Sequence, residues 1–71
     1  MAAARKTMSV PAALAAGKPT VSVPAAGEFY FDLKPAAAYE AAKRGDIPTI
    51  RVGRLLRVPI RAMEAKIQAA A

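Results

Sequence analysis

Residues 43–59, KRGDIPTIRVGRLLRVP, carry the strongest structural signal in this chain. After Pro48 the apolar residues recur at every second position, a spacing typical of β-strands. Gly53-Arg54 supplies a turn between the two alternating runs, and Pro59 ends the second run. The stretch therefore predicts a small β-hairpin with inward-facing apolar side chains, namely Ile50, Val52, Leu56 and Val58.

Arginines occupy the positions of this hairpin that are not expected to be buried: Arg51, Arg54 and Arg57. Outward-facing guanidinium groups suit contact with the phosphates of nucleic acid. An ordinary solvated hairpin face has the same pattern, so the residues alone leave both interpretations open. The letters Arg44-Gly45-Asp46 match an adhesion signal of extracellular proteins, but they fall at a predicted helix end and are interpreted as a coincidence.

Helical patterns flank the hairpin on both sides. The first predicted helix begins after Ser22, a good N-cap, and runs to about residue 30. The second covers residues 35–44 and stops at Gly45, which suits the left-handed position past a helix end. A third begins after Pro59. This order of helix, turn, helix, hairpin and helix predicts a small α+β fold, a winged helix-turn-helix domain over residues 21–68.

Residues 1–20 and 69–71 are expected to lie outside this domain. The first twenty residues mix alanine with proline and glycine and predict a disordered arm, and the last three predict a short tail. The sequence SVPAA occurs at residues 9–13 and 22–26, and the first copy is either a fortuitous echo or a short frayed helix. No segment approaches the ~20 apolar residues of a membrane span.

The large apolar residues are few, because 19 of the 71 residues are alanine. The expected core consists of Phe29, Tyr30, Phe31, Leu33, Ile47, Ile50, Val52, Leu56, Val58, Met63 and Ile67. Phe31 and Leu55 are the apolar residues for which we most expect exposure.

Composition narrows the possible functions. The chain has no cysteine and no histidine, so disulfides and the usual general base are absent. We therefore expect neither an enzyme nor a bound metal or cofactor, and the absence of cysteine fits a reducing compartment. The formal net charge is +6, and residues 34–71 contribute eight basic side chains against three acidic ones. This balance favours a polyanionic partner.

The segments SVPAAG, YFDL, AAYEAAKRGDIPTIRVGRLLRVP and RAMEAKI resemble the excisionase branch of the MerR-like winged-helix DNA-binding domains. The resemblance covers roughly residues 21–68. It implies a non-catalytic recombination directionality factor that binds and bends attachment-site DNA. Such a factor steers an integrase, a tyrosine or serine recombinase, toward excision of a phage or integrative element. The resemblance also implies a cytoplasmic location in a bacterial cell, associated with the nucleoid. A small transcriptional regulator with the same fold is the alternative, and a protein-interaction module or inhibitor is an alternative of another class.

The resemblance also implies which residues contact double-stranded DNA. It places the second helix in the major groove and the hairpin, as a wing, on the neighbouring minor groove or backbone. The implied residues are Lys34, Pro35, Ala36, Tyr39, Glu40, Lys43, Arg44, Arg51, Arg54 and Arg57. Tyr39 is interpreted as a half-buried phosphate contact and not as a recombinase nucleophile.

One departure from the family pattern bears on specificity. The second helix opens with Lys34-Pro35-Ala36-Ala37, where the family usually has Ser-Arg followed by a polar residue. Alanine and proline make no bidentate hydrogen bond to a base, so we expect few base-specific contacts. Specific action then requires head-to-tail self-association of several protomers on DNA. The candidate surfaces for that contact are the closing helix, with Arg61, Glu64 and Lys66, and the hairpin near Leu55.

Overall fold

The computed structural model describes residues 8–70, and in this part of the chain four helices surround a three-stranded antiparallel sheet. The architecture is small and α+β, as predicted. The elements in chain order are α1 (Val10–Ala15), β1 (Thr20–Ser22), α2 (Val23–Phe31), α3 (Pro35–Arg44), β2 (Ile50–Val52), β3 (Leu55–Pro59) and α4 (Ile60–Ala70).

Both copies of SVPAA begin a helix by the same local chemistry. Ser9 Oγ accepts a hydrogen bond from the Ala12 amide at 3.2 Å, and Ser22 Oγ accepts one from the Ala25 amide at 3.3 Å. In each copy a proline occupies the first turn, where its missing N–H costs nothing. Each copy of the repeat therefore forms the N-terminus of a helix.

The expectation of a disordered arm over residues 1–20 does not hold for the portion that the structure describes. Val10 and Ala13 of α1 are fully buried, and Thr20 already belongs to strand β1. A six-residue helix is unstable by itself, so burial of the Val10 side chain against the rest of the core is what stabilises α1. Residues 1–7 of the expected arm lie outside the described residues.

Helices α2 and α3 pack against each other at very short range. A Cβ built on Gly27 would lie 2.5 Å from the Cβ of Ala38, so only glycine fits this crossing. The residue past α2 is Asp32 in the left-handed conformation (φ 60°), and past α3 it is Gly45 (φ 86°). The bounds predicted for the second helix, residues 35–44, are confirmed.

The sheet has the order β1-β3-β2. The predicted hairpin supplies β2 and β3, and β1 adds a third strand that the sequence analysis did not predict. Val21 pairs with Val58, and both are buried, so β1 anchors the base of the hairpin to the core. The Ile60 amide also donates to the Pro19 carbonyl at 2.9 Å where the chain enters α4.

The facing of the hairpin side chains differs from the prediction. Val52 pairs directly with Leu55, and Ile50 pairs with Arg57. Directly opposed residues of an antiparallel pair share one face of the sheet, so Ile50 and Val52 lie on the face opposite to Val58. Both side chains are exposed, at 46% and 56%. The inward placement predicted for Ile50 and Val52 is wrong. The physical reason is the two-residue turn Gly53-Arg54, which sets Val52 opposite Leu55 and therefore on the face opposite to Val58.

The core is built mainly from small residues. Among the described residues its members are Val10, Ala13, Val21, Val23, Ala26, Ala38, Ala41, Ile47, Val58, Ile60 and Met63. Ile47, Val58 and Met63 are buried as predicted, whereas Tyr30, Leu33 and Leu56 pack at the margin of the core. Because α2 and α3 approach so closely, only small side chains such as alanine fit between them, and the larger side chains lie further out.

Three other predicted core residues are exposed: Phe29 (51%), Phe31 (44%) and Ile67 (37%). Helix α2 turns Val23, Ala26 and Gly27 inward, so Phe29 and Phe31 fall on either side of its buried stripe. Ile67 lies in the part of α4 beyond its buried residues, Ile60 and Met63. The expected exposure of Phe31 and Leu55 is confirmed.

The C-terminal helix is longer than predicted, since α4 runs to Ala70 and includes two of the three residues assigned to a tail. Residue 71 lies outside the described residues. Within residues 8–70, none of the helices combines the length and the apolar character that crossing a bilayer requires.

Candidate nucleic-acid interface

The exposed face of α3 follows from the way this helix is buried. Ala38 and Ala41 face α2 and the core. With 3.6 residues per turn, the opposite stripe carries the predicted contact residues Ala36, Tyr39, Glu40 and Lys43. All four are exposed to solvent, and Tyr39, at 48%, is about half-buried, as expected.

The N-terminal end of α3 offers backbone donors. Lys34 occupies the N-cap position with no side-chain capping bond, and Pro35 follows in the first turn. The unpaired amides of a helix N-terminus favour anions. On one side, however, Lys34 and Pro35 border a cleft of about 450 Å³ that also carries Glu28 and Asp32. Those carboxylates repel phosphate, so the cleft does not belong to the candidate interface.

At the C-terminal end of α3, Arg44 is paired with Asp46. Its Nε and Nη2 atoms lie 3.1 and 3.0 Å from Asp46 Oδ2. Both side chains are more than half exposed, so the pair is worth at most ~1 kcal/mol. A DNA phosphate can therefore displace Asp46 from the guanidinium at small cost.

A lysine from α4 stabilises the same end of α3. Lys66 Nζ donates to the Gly45 carbonyl oxygen at 3.0 Å. A cation at a helix C-terminus is favourable because the carbonyl end of the helix dipole is negative. Lys66 therefore has a role within the fold.

The three hairpin arginines are not equivalent. Arg51 on β2 and Arg54 at the turn are exposed. Arg57 on β3 is half-buried, and its Nε and Nη2 atoms donate to Oγ1 and the carbonyl oxygen of Thr20, each at 3.2 Å. Arg51 and Arg54 are thus presented to solvent, whereas Arg57 joins β3 to β1.

Helix α2 fixes the position of α3 relative to the hairpin, because it packs against α3 and against strands β1 and β3. It is also linked to α4, since the Tyr30 hydroxyl donates to Glu64 Oε2 at 2.7 Å. Burial, followed by the hydrogen bond to Glu64 and the negative charge of Glu64, raises the pKa of Tyr30 to about 12. Tyr30 therefore remains a hydrogen-bond donor throughout the physiological pH range.

The sequence analysis missed four residues that contribute to this surface. Thr20 was assigned to the arm, Asp46 was not recognised as the partner of Arg44, and Ile50 and Val52 were assigned to the core. A signal existed for Thr20, because the run TVSV, residues 20–23, alternates like a strand around the Ser22 cap.

No protein-family model, no curated protein and no solved structure matches this chain. Within residues 8–70, no cluster of three or more acidic, histidine or cysteine side chains could hold a metal ion. The function is therefore argued from the residues of the chain and their geometry.

Proposed function

We propose that this protein is a winged helix-turn-helix DNA-binding protein that acts as an excisionase, a recombination directionality factor. In this proposal α2 and α3 form the helix-turn-helix, α3 lies in the major groove, and the β2–β3 hairpin is the wing. The protein binds and bends attachment-site DNA and directs a separate integrase toward excision. The observation that carries the proposal is that one small domain exposes both the α3 face opposite its buried alanines and the hairpin residues Arg51 and Arg54.

Charge and helix composition support a binding mode dominated by the DNA backbone. No acidic residue occurs in residues 47–62, and the exposed face of α3 offers alanine near its N-terminus. Phosphate contacts position a protein on DNA without reading sequence, whereas base-edge hydrogen bonds specify it. A single protomer is therefore sequence-tolerant, and selectivity arises from DNA shape and from several protomers on adjacent sites.

The contact between adjacent protomers involves α4 in this proposal. Glu64 and Lys66 already have partners within the fold. Beside them lies an apolar groove of about 330 Å³ between Phe31 and the last turns of α4. Arg61 and this groove are the parts of α4 that remain for a neighbouring protomer.

A salt titration tests DNA binding directly. With about five phosphates contacted, log affinity for a short duplex falls with log salt at a slope of about −4 to −5. Arg54→Ala weakens binding to every sequence, and Arg61→Ala, an exposed arginine on α4, is the charge-matched control on a single-site duplex. A slope near zero, or equal losses in both variants, would contradict the proposed interface.

Footprinting separates excision from transcription control. Protection of repeated sites in an attachment region, next to integrase sites, supports the directionality factor. Protection confined to promoter DNA supports a small transcriptional regulator instead. Binding to a protein with weak, salt-insensitive affinity for DNA indicates an interaction module or inhibitor.

A further inference from the structure

The outward face of the hairpin carries a short apolar strip made of Ile50, Val52 and Leu55. These side chains are 46%, 56% and 62% exposed, and Leu55 has the largest value given for any large hydrophobic residue among the described residues. The pairing of Val52 with Leu55 places both on one face beside the Gly53-Arg54 turn. The strip therefore extends to the tip of the hairpin.

The surroundings of the strip are cationic. Arg54 lies at the turn beside the strip, Arg51 is exposed on the opposite face of the hairpin, where it pairs with Leu56, and residues 47–62 contain no carboxylate. Three partly exposed side chains fall well short of the ~800 Å² per partner that a standard protein interface buries. An apolar tip flanked by guanidinium groups instead suits duplex DNA. This polyanion carries its charge on the phosphates, and its stacked bases form an apolar interior.

We propose that Leu55 is a wedge residue: the hairpin enters the minor groove, and the Leu55 side chain inserts at a base step, partly unstacking and bending the duplex. This inference rests on the DNA binding proposed above. Minor-groove proteins that bend DNA commonly insert leucine or a similar apolar side chain in this way. A narrow minor groove also attracts the neighbouring Arg54 because its negative potential is enhanced.

The geometry singles out Leu55 within the strip. Val52 is shorter and β-branched, so it reaches less far from the strand. Ile50 lies further from the tip, opposite Arg57, whose guanidinium is bonded to Thr20. Leu55 adjoins the turn and is the most exposed of the three.

The test combines binding, bending and stacking on the full chain. A duplex with 2-aminopurine at a central, easily deformed TA step reports unstacking by its fluorescence, and dyes at its two ends report bending by energy transfer. We expect the wild-type protein to raise the 2-aminopurine fluorescence and shorten the end-to-end distance. Leu55→Ala should abolish most of both signals at saturation and lower affinity by up to about tenfold, the contribution of one apolar side chain.

Two controls make the result specific. Leu55→Met keeps a long apolar side chain and should retain both signals. Leu14→Ala removes another exposed leucine, from α1 (54% exposed), and should change neither. The slope of log affinity against log salt should stay the same in Leu55→Ala, because no charge is removed.

The possible outcomes separate the wedge from the proposed function. If Leu55→Ala binds and still bends and unstacks the duplex as the wild type does, the wedge is wrong and DNA binding stands. If the wild type binds no duplex at low salt, the proposed function fails and the wedge fails with it. If sedimentation shows a free dimer that Leu55→Ala dissociates, the strip is a self-association surface and the wedge assignment is overturned.

Discussion

Arg57 and Thr20 are joined by two hydrogen bonds, from the guanidinium Nε to the threonine Oγ1 and from Nη2 to the threonine carbonyl oxygen, each 3.2 Å long. The bonds connect β3, the central strand, to β1, a segment with no predicted structure. They also engage one of the three arginines that the sequence assigns to DNA. The base of the hairpin is thereby fixed, while its tip, with Arg54, projects from it.

Arg57→Ala should therefore lower mainly the stability of the fold, and Arg54→Ala mainly the affinity for DNA. Loss of the Thr20 bonds should lower the free energy of unfolding by about 1 to 2 kcal/mol in Arg57→Ala. Arg54→Ala should change it by less than about 0.5 kcal/mol but weaken DNA binding by about 1.5 to 3 kcal/mol. Urea denaturation and a fluorescence titration measure the two quantities. An unchanged stability in Arg57→Ala would contradict the structural role of this residue.

Val10→Ala tests whether the segment before β1 belongs to the folded domain. Val10 is fully buried, so loss of two methyl groups and the resulting cavity should cost about 2 kcal/mol in stability. Leu14→Ala, in the same helix but 54% exposed, is the matched control and should cost less than about 0.5 kcal/mol. Equal, small effects of both substitutions in urea denaturation would mean that α1 contributes nothing to stability.

Gly27→Ala tests the close approach of α2 and α3. In an exposed helix interior this substitution stabilises by about 1 kcal/mol. Here the new Cβ would lie 2.5 Å from Ala38 Cβ, and overpacking should instead destabilise the protein by about 1 to 3 kcal/mol. The sign of the change in the free energy of unfolding, measured by thermal or urea denaturation, therefore shows whether α2 and α3 approach this closely at Gly27. Adding Ala38→Gly should recover part of the loss, and purely additive effects would argue against the contact.

Tyr30 predicts an alkaline limit to stability. Its pKa is raised from 10.0 to about 12 in the folded protein, first by burial and then by Glu64. The unfolded chain thus loses this proton at lower pH than the folded chain does. The stabilisation is complete below pH 10 and is lost as the pH rises toward 12. In Tyr30→Phe this component of the fall should disappear; a wild-type and variant pair with identical pH profiles would refute it.

The sequence by itself determined the elements whose signals are local. Pro35 and Gly45 set the bounds of α3, because one suits the first helical turn and the other the left-handed position past its end. Gly53-Arg54 placed the hairpin turn for the same reason. The charge of residues 34–71 likewise needs no structure, and it supports the DNA-binding proposal, which stays a prediction.

Tertiary structure decided which side chains are buried. Alternation along β2 fixes a period of two but not the face that meets the core, and the pairing of Val52 with Leu55 turned Ile50 and Val52 outward. Val10 is buried although the composition of its segment suggested disorder, since a short helix gains its stability only from the surface that it covers. Likewise, Arg57 is held within the fold because Thr20 of β1, distant in sequence, accepts its two hydrogen bonds. Long-range packing sets burial and hydrogen-bond partners, and a local alternation such as that of TVSV can indicate a strand but not the strand with which it pairs.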